Sequence, residues 1–216
     1  MELDIFNIAS LIGSMAFALS GFLIGVRKEL DIMGLFIVSM LTANGGGAVR
    51  DVLVGETPNV LTDPFAFYLV LGCVFISFAI KLHKYAGLER RNIFLLSDSV
   101  GLVAFSITGA LVGVAAGLSI FGVMVLSFIT ATGGGIIRDM IVNEVPAVFS
   151  EGFYGSVALI IGAAIYVLNI YDLNNNITIS IVFVAGLLIR LLAHFQDWHL
   201  PKVQKGAPFL DDGEGQ

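Results

Sequence analysis

The chain contains two copies of one segment. Shifting the sequence by 88 residues aligns residues 13–60 with residues 101–148 without a gap, and 22 of the 48 paired positions are identical. Self-similarity at a fixed offset indicates that a structural unit has been duplicated. Any fold for this chain must therefore contain that unit twice.

Seven apolar runs follow one another along the chain, separated by short charged or proline-containing breaks. A helix needs about 20 mostly apolar residues to cross the hydrocarbon core of a bilayer. Only 13% of the residues are charged, whereas a soluble domain carries about 25%. The sequence therefore predicts an all-α polytopic membrane protein with seven transmembrane helices. The expected spans are about 5–26, 31–49, 64–82, 92–115, 119–142, 153–171 and 176–195.

Each copy of the repeat contains three spans. Because three is odd, the second copy enters the membrane from the opposite side, which makes an inverted 3+3 repeat with the seventh helix outside it. Such repeats are typical of proteins that move solutes, with the pathway near the repeat interface. A duplication that only builds a stable bundle is the alternative. The expected divisions are 1–88 for repeat 1 (helices 1–3), 89–174 for repeat 2 (helices 4–6), 175–196 for helix 7 and 197–216 for a cytoplasmic polar tail.

Basic residues predict the orientation in the membrane. With seven spans, ten of the 11 Lys and Arg residues fall on one side and only Arg50 falls on the other. Cytoplasmic loops carry the excess of Lys and Arg. The N-terminus is therefore expected outside and the C-terminus in the cytoplasm.

Predicted helices 2 and 5 each carry a Gly-Gly-Gly-x-x-Arg-Asp element, at 42–51 and 130–139. Glycine costs a helix about 1 kcal/mol relative to alanine, and freed backbone groups in a membrane must face protein or a water-filled cavity. The triplets therefore predict broken or kinked helices that line a pathway, although close helix packing is an alternative. The pore and gate candidates in these elements are Asn44, Gly45, Gly46, Gly47, Thr130, Thr132, Gly133, Gly134 and Gly135.

Five charged residues lie in or against the apolar spans: Arg50, Asp51, Asp98, Arg138 and Asp139. Charged groups at this depth usually pair or face water. Adjacent helical residues point about 100° apart, so each Arg need not pair with the Asp that follows it, and pairing between the repeats is an alternative. The charges serve either as a salt bridge that locks the two halves or as a constriction that selects ions. Asp98 attracts a cation or pairs with an Arg.

Hydroxyl groups on the spans are further candidates for the pore lining. Mid-span hydroxyls more often join helices than line pores, so both interpretations stay open. The candidates are Ser14, Ser20, Thr42 and Thr108.

Nucleic-acid binding, catalysis and metal binding are disfavoured by the charge, the motifs and the cysteine count of the sequence. A net charge of −6 offers no basic face for nucleic acid. Motifs of serine hydrolases, zinc proteases and P-loop enzymes do not occur, and one cysteine cannot build a metal site. We expect neither an enzyme nor a cofactor or metal; permeant ions and bound lipid are the expected ligands.

The doubled GGGxxRD element, the Glu-x-Pro that follows each copy and the seventh helix resemble the trimeric intracellular cation (TRIC) channel family. The likeness covers residues 5–196 and is greatest to short prokaryotic members, whose repeated domain is also labelled a glycine-transporter domain. It implies a prokaryotic plasma-membrane homotrimer in which each protomer holds a pore for K⁺ and, less selectively, Na⁺. It also implies that helices 2 and 5 are kinked at their glycines.

The resulting hypothesis is a passive cation channel with its pore between the two repeats, lined by spans 1, 2, 4 and 5. A secondary transporter for a small solute such as glycine fits inverted repeats with broken helices equally well. A structural membrane scaffold is the third interpretation.

Overall fold

The protein is described by a computed structural model that covers residues 5–84 and 87–198, with the backbone alone for 87–90. These ranges fold into α-helices joined by short turns, together with a 3₁₀ helix at Leu82–Lys84. Most of the predicted tail, 199–216, lies outside the described residues. The helices are α1 (Ile5–Arg27), α2 (Ile32–Leu53), α3 (Asn59–Thr62), α4 (Phe65–Ala79), α5 (Gly87–Ala115), α6 (Ile120–Ile141), α7 (Ala147–Ser150), α8 (Tyr154–Ile170) and α9 (Asn176–Phe195).

Equivalent residues begin equivalent helices. Asp31 caps the start of α2 by accepting the N–H of Gly34 at 2.7 Å, and Ser119 caps the start of α6 by accepting the N–H of Gly122 at 3.3 Å. Short polar side chains favour this N-cap position because they satisfy N–H groups that lack a helical partner. The bounds of α2 and α6, and those of α3 and α7, differ by the same 88 residues as the sequence copies.

Five helices are long and apolar enough to cross a membrane: α1, α2, the Arg91–Ala115 part of α5, α6 and α9. Two other apolar helices are shorter, since α4 has 15 residues and α8 has 17. Helix α4 ends before the predicted limit of 82 because Lys81 turns into the left-handed region at φ 59°, and α8 starts after Phe153 at φ 62°. Helices of this length and composition make the chain an integral membrane protein.

Four helices form a closed ring. Helix α1 packs on α2, α2 on α6, α6 on α5, and α5 on α1, and these are the most extensive helix contacts in the fold. The fully buried phenyl group of Phe17 lies inside this ring of helices, close to Gly101 of α5 and Gly134 of α6. Its centroid is 5.2 Å from that of the Phe105 phenyl group. The centre of the ring is thus packed with protein.

Helices α8 and α9 add a layer against one side of the ring. Helix α8 packs on α5 and α6, and α9 packs on α5 and α8. Their buried contacts centre on Val103, Ile161 and Ile179. The outer face of α9 is apolar and open, with Ile177 and Phe195 each 73% exposed, as expected for a surface that meets lipid.

Candidate functional site

A buried cluster of charged and hydroxyl groups lies where α1, α5, α6 and α8 meet. The Nη1 of Arg138 is 2.5 Å from Oδ1 of Asp98, and its Nε is 2.8 Å from Oδ1 of Asp139. Arg138 Nη1 also donates to the Oγ of Ser20, whose hydroxyl lies 3.2 Å from Asp98 Oδ1. The hydroxyl of Tyr154 donates to Asp98 Oδ2 at 2.7 Å. We call these five residues the central cluster.

Burial and pairing explain how the central cluster is tolerated. Arg138 is fully buried and Asp98 is 3% exposed. Charges taken out of water are costly unless paired and hydrogen-bonded. Here two carboxylates and the Ser20 hydroxyl contact one guanidinium, and the Tyr154 hydroxyl bonds the other oxygen of Asp98. The Arg138 guanidinium also stands 5.0 Å from the centroid of the Phe94 ring, a distance that suits a cation–π contact. With two carboxylates and one guanidinium, the ionised central cluster carries a net negative charge.

Arg50 and Asp51 form the equivalent pair in the first copy. Arg50 Nη2 lies 2.6 Å from Asp51 Oδ1, and the guanidinium stands 5.8 Å from the Phe6 ring. The alternative of pairs between the repeats is not observed for these arginines: Arg50 and Arg138 each fold back onto the following Asp. An arginine side chain is long and flexible enough to span the 100° between adjacent helical positions.

The same two aspartates also hold the turn after their helix. Asp51 Oδ2 accepts the N–H of Asn59 at 3.0 Å, and Asp139 Oδ2 accepts the N–H of Ala147 at 3.0 Å. These N–H groups belong to the first residues of α3 and α7, which have no helical partner there. The aspartates of the GGGxxRD elements thus have a structural role in both copies.

The glycine triplets lie at the crossing of α2 and α6. Both helices continue as α-helix through the triplets, so the chain is not broken there, and a bend remains a prediction. A Cβ at Gly46 would lie 2.1 Å from the carbonyl oxygen of Thr130, and one at Gly134 would lie 2.0 Å from that of Thr42. Close packing of the two backbones therefore accounts for these glycines.

The remaining glycines of the triplets also face close neighbours. A Cβ at Gly45 would meet Ile137 Cδ1 at 2.6 Å, and one at Gly133 would meet Gly46 Cα at 3.0 Å. Those at Gly47 and Gly135 would stand 3.8 and 3.7 Å from the Nη2 of the arginine three residues on. Gly45 and Gly133 thus leave room for the facing helix, whereas a Cβ at Gly47 or Gly135 would make ordinary contacts only.

The polar side chains expected to line a pore are bonded mainly to their own helices. Thr42 Oγ1 donates to the carbonyl of Val38 at 2.6 Å, and Thr130 Oγ1 donates to that of Leu126 at 2.6 Å. Back-bonding of this kind satisfies a hydroxyl in an apolar setting. Only Ser20 joins the central cluster. Asn44, Thr108 and Thr132 also donate to carbonyls of their own helices, those of Met40, Phe105 and Phe128. Ser14 is half-buried on α1.

Sequence reasoning missed Arg190 and Tyr154. Arg190 is one of the ten basic residues counted on the cytoplasmic side, yet it is 1% exposed within the fold. Its Nη2 donates to Glu151 Oε2, and its guanidinium carbon stands 4.7 Å from the centroid of the Tyr154 ring. A single charge within the apolar α9 was the available signal, since such groups usually turn inward to a partner.

An ionic contact joins the two copies at one end of the helices. Glu144, in the turn after α6, pairs with Lys28 at 2.8 Å and also with Arg27 at the end of α1. Partial burial opposes ionisation of this carboxyl, but the hydrogen bond from Lys28 and the charges of both cations lower its pKa below the ordinary value. Among residues 5–84 and 87–198, no group of three or more His, Cys, Asp or Glu side chains is arranged to hold a metal ion.

Comparison with known proteins places the chain in a family. A family model described as "Glycine transporter" matches residues 7–83 and 95–170. The chain belongs to this family. The starts of the two matched stretches are 88 residues apart, the offset of the internal repeat. The chain is also similar to a UPF0126 membrane protein of Deinococcus radiodurans, with 40% identity over 161 residues that cover 73% of this chain and 74% of that protein.

Solved structures with the same fold are TRIC channels. A prokaryotic TRIC channel has a TM-score of 0.83 and 31% identity, over 91% of this chain and 98% of that one. A trimeric intracellular cation channel orthologue from Rhodobacter sphaeroides has a TM-score of 0.82 and 28% identity, over 89% and 98%. The resemblance inferred from the GGGxxRD elements is confirmed. These relatives are channels, which agrees with the expectation that members of this kind are not enzymes.

Proposed function

We propose that the protein is a passive channel for monovalent cations, with K⁺ passing more readily than Na⁺. The observation that carries the proposal is the negatively charged central cluster beside a closed ring of four helices. The solved structures that share this fold are TRIC channels, two of them described as cation channels. We propose that the pore runs through the ring, between the two repeats, and that each protomer of a homotrimer has its own pore.

The proposed topology is seven membrane spans, with helices 1–3 and 4–6 as inverted repeats and helix 7 outside. The matching bounds of α2 and α6 and the two family-model matches support the divisions at 88 and 174. Helices α4 and α8 measure about 22 and 26 Å at 1.5 Å per residue, somewhat less than a bilayer core of about 30 Å. We propose that they cross with help from flanking turns and local thinning. The distribution of Lys and Arg supports an N-terminus outside and a C-terminus in the cytoplasm of a prokaryotic plasma membrane.

In this account the packed ring is a closed state. Conduction requires Phe17 to leave the centre of the ring and the Arg138 guanidinium to separate from Asp98. A permeating cation then takes the place of the guanidinium and is met by oxygen atoms of Asp98, Ser20 and Tyr154. A carboxylate and hydroxyls at close quarters replace part of a hydration shell and exclude anions.

Bends at the two glycine triplets are the proposed route to opening. The close approach of α2 and α6 at Gly46 and Gly134 lets a small change in either helix move the other. Arg50 and Arg138 are the proposed gate charges, because each is anchored three residues after a triplet. Asp51 and Asp139 keep the gate charges paired and hold the following turns.

A secondary transporter for a small solute such as glycine is the second candidate, favoured by the description of the matching family model and by the inverted repeat. Proteoliposomes distinguish the two. A channel gives an Rb⁺ flux driven by its own gradient that does not saturate at low millimolar concentrations, and no accumulation of labelled glycine. Saturable glycine uptake coupled to a Na⁺ or H⁺ gradient, without Rb⁺ flux, would favour the transporter. Inactivity in both assays would favour a scaffold.

A further inference from the structure

Arg190 is the one Asp, Glu, Lys or Arg residue of α9, a helix described along its full length. It lies on the buried face of that helix, with Gly186 one turn before it and Ala193 one turn after it. A Cβ at Gly186 would lie 2.7 Å from Ile161 Cδ1 of α8, so the backbone of α9 comes close to α8 at this point. An arginine five residues before the end of a span is long enough to extend to the interface, but Arg190 turns inward.

The guanidinium of Arg190 is restrained by two contacts. Its Nη2 donates to Glu151, whose side chain is 33% exposed, and its guanidinium carbon stands over the Tyr154 ring, 4.7 Å from the centroid. Among the residues that the structure describes, its buried Nε and Nη1 have no hydrogen-bond partner. The ring of Tyr154 is therefore one of the two groups that fix this side chain, and the restraint acts on both partners.

The hydroxyl of the same Tyr154 reaches the central cluster, where it donates to Asp98 Oδ2 at 2.7 Å. Tyr154 is the first residue of α8, and the preceding Phe153 is in the left-handed region and provides no side-chain cap. The start of α8 thus has little local restraint from its own cap. The stacked guanidinium is in the right place to supply it.

We propose that Arg190 is a positioning residue for the central cluster. It holds the Tyr154 ring so that the phenol hydroxyl stays directed at Asp98, which sets how firmly Asp98 binds Arg138. Glu151 holds Arg190 from the partly exposed end. Helix α9, which has no counterpart inside the repeat, thereby influences the Asp98–Arg138 ion pair at the centre of the protein.

This device belongs to the second copy alone. The positions equivalent to Tyr154 and Asp98 in the first copy are Ala66 and Ser10. Helix α9 packs on α5 and α8, both of which lie in the second copy. The two halves of the repeat are therefore expected to differ in how freely their gate charges move.

The hydrogen bond of Tyr154 is measured directly by NMR, without any ion flux. The chain contains five tyrosines, so the ¹³Cζ signal of Tyr154 in labelled protein is assigned by its loss in Tyr154→Phe. In Arg190→Gln, and to a smaller degree in Glu151→Gln, this signal is expected to move toward that of a phenol with a weaker hydrogen bond. Arg91→Gln, at an exposed arginine, is the matched control and should leave it in place. A Tyr154 signal unchanged in both Arg190→Gln and Glu151→Gln would overturn the proposal.

The functional part of the test is a double-mutant cycle, and it rests on the proposed channel activity. Arg190→Gln and Tyr154→Phe should each change the open probability by more than about threefold, the scale expected for residues in contact. The double variant should show no further change, because Arg190 acts through the phenol hydroxyl. Independent, additive effects would overturn the proposal. If wild-type protein passes no current while the Tyr154 signal still responds to Arg190→Gln, the channel function fails and the positioning role stands.

Arg190→Lys keeps the positive charge. Because Glu151 then keeps a cationic partner, this variant should not lose stability through an unpaired carboxylate. It loses the contact of the guanidinium with the ring, which an ammonium does not reproduce, so the Tyr154 signal is expected to shift as in Arg190→Gln. An unchanged signal in this variant would show that charge alone, and not stacking, holds the ring, which contradicts the proposal.

Discussion

Arg138 Nη1 lies 2.5 Å from Asp98 Oδ1, and this pair distinguishes the two copies of the repeat. The position equivalent to Asp98 in the first copy is Ser10. The arginine of α6 therefore meets a second carboxylate, whereas the first copy has a hydroxyl at the equivalent position. Duplication produced two similar halves, and one acidic residue made their centres unequal. In the proposed channel this inequality gives the centre its negative charge.

Replacing Asp98 tests the role of that charge. Asp98→Asn keeps the shape of the side chain but leaves Arg138 with Asp139 as its remaining carboxylate, so we expect a loss of up to about 3 kcal/mol of stability. We also expect a clear decrease of cation conductance, measured as unitary current in symmetrical KCl. Asp63→Asn, at an exposed aspartate, is the control and should leave the current unchanged. A wild-type current in Asp98→Asn would remove Asp98 from the conduction pathway.

The two arginines should differ in their tolerance to substitution. Arg138 is fully buried between two carboxylates, and Arg50 is 8% exposed with Asp51 as its ion-pair partner. Arg138→Gln leaves two buried carboxylates facing each other, a change that costs about 3–5 kcal/mol, whereas Arg50→Gln should cost less. Thermal unfolding of the two variants in the same detergent gives the comparison. Equal shifts in Tm, or a larger shift for Arg50→Gln, would contradict the assigned environments.

The middle glycines of the triplets should not accept a methyl group. Gly46→Ala and Gly134→Ala each place Cβ about 2 Å from a backbone carbonyl oxygen of the facing helix, and the resulting overpacking should cost about 1–3 kcal/mol or more. Gly72→Ala, in α4 with open space around its Cα, is the matched control. It should be neutral or raise stability by about 0.5–1 kcal/mol, since alanine is the better helix former. Normal melting of Gly46→Ala would show that α2 and α6 do not cross this closely.

The ion pairs of Glu144 predict a small pH dependence. Burial opposes ionisation, but Lys28 and Arg27 lower the pKa of Glu144 in the folded protein below the ordinary value of 4.5. A lowered pKa means that the contribution to stability is present above the unfolded-state pKa and is lost as the pH falls through the folded-state value. Because the groups are partly exposed, we expect less than about 1 kcal/mol.

The check on this contact is the Tm of Glu144→Gln relative to wild type as a function of pH. The difference should be present at pH 7 and disappear in acid, and 0.5 M salt should reduce it. The control is Glu56→Gln, which makes the same change at the exposed position equivalent to Glu144 in the first copy. A difference between Glu144→Gln and wild type that persists in acid would mean that packing, and not charge, is responsible.

The sequence predicted the helices well because their signals are local. The charged and proline-containing breaks lie within a few residues of the helix ends that they determine. The repeat also drew attention to the residues that pack or pair most tightly, including Gly46, Gly134 and Arg138. These are the positions where duplication left the sequence unchanged.

Contacts between distant helices were beyond the sequence. Asp98 and Arg138 are 40 residues apart, and Tyr154 is 56 residues from Asp98, so their meeting depends on how α5, α6 and α8 pack. The contacts of Arg190 were also beyond the sequence, because hydropathy does not reveal which side of α9 is buried. The glycine triplets were ambiguous since a broken helix and a close crossing both require glycine.

The central claim is that ions pass through this protein down their own gradient. The most direct measurement is the current across a planar bilayer that contains the purified protein, with a K⁺ gradient between the two sides. The account predicts discrete unitary currents that reverse near the K⁺ equilibrium potential. The reversal potential should move toward zero when Na⁺ replaces K⁺ on the more concentrated side. A bilayer that stays silent while the same preparation takes up a solute saturably would contradict it.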